Sequence, residues 1–99
     1  MVVVMAKIRA KPEHADEVAG HFHEMVDWVA LHELATITYS CNRSTAEPSE
    51  FVFFERYPDS TAFDAHSKSE RFAQLVGQLQ GKLMAAPEVV MMEEVAAKI

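Results

Sequence analysis

Glu50-Phe51-Val52-Phe53-Phe54-Glu55-Arg56-Tyr57-Pro58-Asp59-Ser60 is the stretch that decides the fold. Aromatic and β-branched residues at this density favour extended chain, and Pro58-Asp59-Ser60 ends the strand in a turn whose Asp59 or Ser60 caps a helix. Alternation puts Phe51, Phe53, Glu55 and Tyr57 on one face. A strand running into a capped helix needs partners, and the flanking sequence supplies them. On the N-terminal side, Arg43 to Ser49 reads as a hairpin loop, preceded by Leu34 to Asn42, where Ala35, Ile37, Tyr39 and Cys41 alternate with Thr36, Thr38, Ser40 and Asn42. Earlier still, Val2 to Arg9 is a strand with Val2, Val4, Ala6 and Ile8 facing inward. Pro12 then opens a helix to about Leu31, with Ala15, Val18, Phe22, Met25, Val26 and Val29 as its apolar stripe. His14, Glu17, His21 and Glu24 form its polar side.

On the C-terminal side a short helix runs to about His66. Ser67 or Ser69 caps a second helix, and Ser67 with Glu70 fits a capping box. Phe72, Leu75, Val76, Leu79 and Leu83 make its buried stripe, Pro87 ends it, and Glu88 to Val95 is the last strand. The order is β-α-β-β-α-α-β. That predicts an α+β, ferredoxin-like domain with a four-stranded antiparallel sheet, its helices on one face and its second helical leg broken in two. The other sheet face also carries apolar residues, and a second copy of the sheet is the simplest cover for it.

The 99 residues make one domain, 1–99, and 49% hydrophobic content with three Gly and four Pro excludes a disordered or collagenous chain. Net charge is −6 and no Lys/Arg cluster exists, so neither nucleic acid nor an anionic membrane surface is the expected partner. The apolar stretches are too short for a membrane span. Positive charge follows the first apolar run instead of preceding it, unlike an export signal. One cysteine, Cys41, makes no internal disulfide, so a cytoplasmic setting is expected.

Two residues stand out as chemistry-bearing. Glu55 shares its face with three aromatics, where a carboxylate is either solvated at the strand end or held in a pocket with a raised pKa. His66, near a helix end, either caps carbonyls or serves as a general acid–base group. A carboxylate partner would fix its tautomer, and Glu55 is the expected one, since a short turn separates strand and helix. Glu17, His21 and Glu24 share a helix side that reads as solvated surface or, less simply, as a metal site. His32 is expected to cap its helix. No zinc spacing, dinucleotide fingerprint, phosphate loop or nucleophile elbow occurs. Cys41 alternates inward with Ile37 and Tyr39 and reads as a buried, inert thiol, Met91 and Met92 as core and interface filler, and Trp28 as core edge.

These residues resemble a known family. Val2-Val3-Val4-Met5-Ala6-Lys7-Ile8-Arg9-Ala10-Lys11-Pro12 is similar to the opening of antibiotic biosynthesis monooxygenase domains. Ile37-Thr38-Tyr39 resembles their second strand. Phe51 to Tyr57, then Phe63-Asp64-Ala65-His66 and Ser69-Glu70-Arg71-Phe72, resembles their most characteristic stretch. The resemblance covers nearly the whole chain and implies a dimeric α+β barrel built from two sheets. Tyr57 stands where relatives often have Trp, Glu70-Arg71 where they have Pro-His, and Leu34-Ala35 where a Gly is usual. The haem-degrading branch differs at Ala6, Lys7, His66 and Val76, so no haem is expected. A branch that isomerises a phosphorylated signal sugar shares Glu55, Tyr57 and His66.

The resemblance therefore implies a cofactor-independent monooxygenase acting on a small phenol or quinol. His66 and Glu55 would be catalytic, and Phe53, Tyr57, Phe72 and Tyr39 would hold the ring, with no metal or bound cofactor. The alternatives are an isomerase of a phosphorylated signal molecule and a non-catalytic ligand-binding dimer.

Overall fold

The computed structural model describes residues 1–99. Strand β1 (Val2–Arg9) leads through a single 3-10 turn at Pro12–His14 into helix α1 (Ala15–His32). Strands β2 (Thr38–Arg43) and β3 (Glu50–Tyr57) form a hairpin. Helices α2 (Ser60–Ser67) and α3 (Glu70–Gln78) precede strand β4 (Glu88–Glu93). The sheet order is β2-β3-β1-β4, antiparallel throughout. With β3 lying between β1 and β2, this is the split βαβ, ferredoxin-like α+β arrangement expected from the sequence.

The β1–β3 register pairs Val4 with Glu55, Ala6 with Phe53 and Ile8 with Phe51. Those residues form the inner face, on which the helices pack. Phe22, Met25 and Val18 of α1 are fully buried there. Phe22 sits edge-on between Phe51 and Phe53, with ring centroids 5.3 and 4.9 Å away. This is the preferred aromatic geometry, and it anchors α1 across the middle of the sheet.

Local chemistry moves several predicted boundaries. The second strand starts at Thr38, not Leu34, because Glu33 to Thr36 folds into a turn. Its backbone bond from Thr36 N–H to the Glu33 carbonyl is 3.1 Å. The first predicted helix opens as the 3-10 turn, since Pro12 sets φ but leaves α1 to begin at Ala15. Ser69, not Ser67, caps α3 by accepting from Phe72 N–H at 3.1 Å, while Ser67 Oγ donates back to the Asp64 carbonyl. The third helix stops at Gln78, and Gly81, at φ 75°, turns the chain so that Leu83 bridges to Ala10. Leu83 thus reaches the core from the sheet side, and Val76 stays 44% exposed.

The outer face of the sheet carries Met5, Phe54, Val90 and Met92, all exposed. Arg56 on that face donates to Glu94 Oε1 through Nε at 3.1 Å and Nη2 at 2.8 Å, drawing the chain after β4 across the sheet. Every residue of β4 is exposed. No helix is long and apolar enough to cross a membrane.

Candidate active site

A cavity of about 160 Å³ lies between the inner sheet face and the α2–α3 leg. Its walls are mostly apolar: Val4, Ala6 and Ile8 from β1, Phe53 from β3, and Phe72 and Leu75 from α3. Its polar lining comes from Tyr39, Glu55, His66 and Ser67. Val76, Pro87 and Val89 also line it and are exposed, marking where it opens. A volume of about 150 Å³ accommodates a benzene-sized guest.

His66 enters this space from the last turn of α2. Asp59 caps that helix through Ala62 N–H at 2.9 Å. Phe63 and His66, three residues apart, both turn toward the cavity. Ser69 Oγ donates to the His66 carbonyl at 2.8 Å while capping α3, so one hydroxyl pins the α2–α3 corner. The imidazole is 2% exposed and wrapped by rings, with centroids of Tyr39 at 4.9 Å, Phe72 at 5.4 Å and Tyr57 at 5.8 Å.

The carboxylate partner of His66 is Glu33, not Glu55. Nδ1 lies 2.9 Å from Glu33 Oε1 and 3.0 Å from Oε2. Thr36 Oγ1 donates to the same Oε1 at 2.9 Å. A carboxylate only accepts, so Nδ1 carries the proton and Nε2, which bonds no protein atom, is left as the basic nitrogen. Glu33 lies immediately after α1, where a helix dipole disfavours negative charge. That unfavourable placement is the one signal in the sequence that marks it. The turn from Glu33 to Thr36 then aims the side chain inward.

Glu55 has a different partner. Tyr57 O–H donates to its Oε1 at 2.5 Å, both groups lying on the inner face of β3 two residues apart. Burial pushes the Glu55 carboxyl above the usual carboxylate range, against the opposing pull of the Tyr57 bond and the nearby imidazole. Burial and the Glu55 carboxylate hold the Tyr57 phenol above the tyrosine range, and burial does the same for Tyr39, so both stay protonated. Tyr57 is fully buried and outside the cavity wall, its ring edge-on to Phe63 at 5.4 Å. The other expected ring-holding residues, Phe53, Phe72 and Tyr39, do line the cavity.

The remaining candidates sit apart from this cavity. Glu17 takes a bond from Lys82, which holds its carboxyl below the usual range, and lies near His14 and His21 on an open helix side. His32 caps its helix as expected, its Nδ1 3.0 Å from the Trp28 carbonyl and its ring stacked on Trp28. Burial raises the Cys41 thiol to about 11, so it is protonated at neutral pH.

The model of a family described as antibiotic biosynthesis monooxygenase matches residues 1–78. A Bacillus subtilis protein named "Putative monooxygenase YcnE" is 27% identical over 93 residues, which is 94% of this chain and 97% of that protein. A crystal structure described as an antibiotic biosynthesis monooxygenase superposes with a TM-score of 0.88 at 31% identity, covering 97% of this chain and 100% of the other. A Deinococcus radiodurans structure shares the fold at 17% identity, with a TM-score of 0.89 over 100% of this chain and 97% of that one.

Proposed function

We propose that this chain, which belongs to the antibiotic biosynthesis monooxygenase family, is a cofactor-independent monooxygenase of small phenols or quinols. The observation that carries this reading is His66: its Nδ1 is held by Glu33, its Nε2 is free of protein partners, and it lines an apolar cavity sized for an aromatic ring. A phenol in the cavity gives its proton to Nε2. The resulting imidazolium is stabilised by the Glu33 carboxylate behind it. The phenolate is electron-rich at ring carbon and transfers an electron to dioxygen; recombination forms a C–O bond, and the proton returns from His66 to give a ring hydroperoxide. Loss of the ring C–H proton then breaks the O–O bond. One oxygen stays as a quinone carbonyl and the other leaves as water, so phenol and dioxygen balance quinone and water. Excluding bulk water strengthens every electrostatic contact in these steps.

Glu55 is assigned a second polar station in the cavity. Its buried carboxyl, steadied by Tyr57, can donate or accept a hydrogen bond at a second substrate oxygen. Phe53, Phe72 and Tyr39 supply the ring faces.

The working unit in this proposal is a homodimer. Its contact is the outer sheet face bearing Met5, Phe54, Val90 and Met92, a patch that water alone would cover poorly. A light-scattering mass equal to one chain, 11.1 kDa, would overturn that part. A reducing, cytoplasmic setting suits the free Cys41 thiol. Oxygen uptake with a panel of phenols tests the chemistry. His66→Ala is expected to lower turnover by about 10²–10⁴-fold, and full turnover by that variant would remove His66 from the mechanism.

A further inference from the structure

Three buried polar side-chain atoms have no partner in the protein: His21 Nδ1, Arg71 Nη1 and Gln78 Oε1. Only Arg71 among them carries a permanent charge. Arg43 and Arg56 each meet a carboxylate, at 2.9 and 2.8 Å, whereas Arg71 makes no ion pair. A guanidinium N–H closed off from water and left unbonded is costly, so an acceptor that reaches it is bound strongly. Position ties this cation to the cavity. Arg71 and Phe72 are successive residues in the first turn of α3, and the Phe72 ring lies against His66. The Arg71 charge also reaches the Tyr39 phenol, pulling against the burial that raises it. Tyr39 lines the cavity with a hydroxyl that bonds no protein atom.

The neighbouring carboxyl groups leave the Arg71 charge uncompensated. Glu33 is engaged by His66 and Thr36, and burial holds Glu55 toward its neutral form. One cation and one neutral hydroxyl donor suit a single negative charge spread over two oxygens, the pattern of a carboxylate. A second charge on the ligand would face Glu33 and Glu55 with no further cation to meet it. We propose that Arg71 and the Tyr39 hydroxyl form a carboxylate-binding subsite at the edge of the cavity, so that the ligand is a hydroxybenzoate whose phenol faces His66. The proposal rests on the monooxygenase reading only in taking this cavity as the substrate site.

Calorimetry without oxygen tests the subsite apart from turnover. The probes are salicylate, meta-hydroxybenzoate and para-hydroxybenzoate, each paired with its benzyl alcohol, which is close in size and uncharged. At least one acid is expected to bind about ten-fold or more tighter than its alcohol. Arg71→Gln should erase that preference while changing the affinity for the alcohol by no more than a few-fold. Arg71→Lys, which keeps the charge without the fork, should retain part of it. If no acid exceeds its alcohol on the unsubstituted protein, the subsite is overturned without recourse to any variant. It is equally overturned if folded Arg71→Gln keeps the preference. Phenyl phosphate binding more tightly than every hydroxybenzoate would overturn the assignment to a carboxylate. If a hydroxybenzoate binds through Arg71 as expected but no phenol is ever oxidised, the monooxygenase reading fails while the subsite stands.

Discussion

Replacing Tyr57 with Phe removes one hydroxyl from a fully buried position and leaves the ring packing against Phe63 intact. That hydroxyl donates to Glu55 Oε1 at 2.5 Å, and Glu55 is only 6% exposed, so little solvent is at hand to replace it. A hydrogen bond to a charged acceptor contributes about 1.5–3 kcal/mol and one between neutral groups about 0.5–1.5 kcal/mol. Which figure applies depends on pH. Burial raises the Glu55 carboxyl in the folded state, so folding favours the protonated form. The stability this gives is fully present below the unfolded carboxylate pKa and is lost as pH rises through the folded one. The Tyr57 bond favours the ionised form and limits that loss. Without it the folded carboxyl titrates higher still, and the loss at neutral pH deepens. Tyr57→Phe is therefore expected to cost about 1 kcal/mol near pH 5 and about 2–3 kcal/mol near pH 8. Urea unfolding followed through the single tryptophan, Trp28, reads both values. A cost that is equal at the two pH values, or larger in acid, would refute the reasoning. Glu55→Gln removes the titrating group, so its stability should be flatter across the same range.

Three further outcomes follow from the same geometry. Glu33→Gln keeps the size of the side chain but removes the charge that orients His66; turnover should fall about 10²-fold and its pH profile should shift, with partial rescue by Glu33→Asp. Ser69→Ala removes both the α3 cap and the bond to the His66 carbonyl, so thermal unfolding should report a loss of about 1 kcal/mol. Phe22→Ala opens a cavity between Phe51 and Phe53 and should cost about 3–5 kcal/mol in urea unfolding, a value under 1 kcal/mol being incompatible with the packing described.

The sheet and the helix α1 were legible because their signals are periodic. Phe51, Phe53, Glu55 and Tyr57 share one face of β3 by alternation alone, and Val18, Phe22, Met25 and Val29 fall on one side of α1. The breaks between elements were less so, because single side-chain bonds decide them. Ser67 and Ser69 are equivalent caps on paper; the difference is that Ser69 Oγ also reaches the His66 carbonyl while Ser67 Oγ turns back to Asp64. The site was legible residue by residue but not in its pairings. His66 and Glu55 do line one cavity, yet the nearer carboxylate along the chain is not the one His66 bonds. Tyr57, two residues away on the same strand, had already engaged Glu55. Glu33 reaches His66 from the far end of α1, a distance that no local pattern records.

The two carboxyl couples also differ in how they are assembled. Glu55 and Tyr57 are neighbours on one extended strand, so their bond needs no loop to close. The Glu33–His66 bond joins residues 33 positions apart, and its loop-closure entropy must be met by docking of the whole hairpin and α2. The first couple is a local contact and the second a long-range one. Any partial opening that lifts α2 from the sheet would disconnect His66 from Glu33 while leaving Glu55 and Tyr57 joined. The basic nitrogen is thereby tied to the completed fold, and a loosened chain would lose its base before it lost its pocket acid.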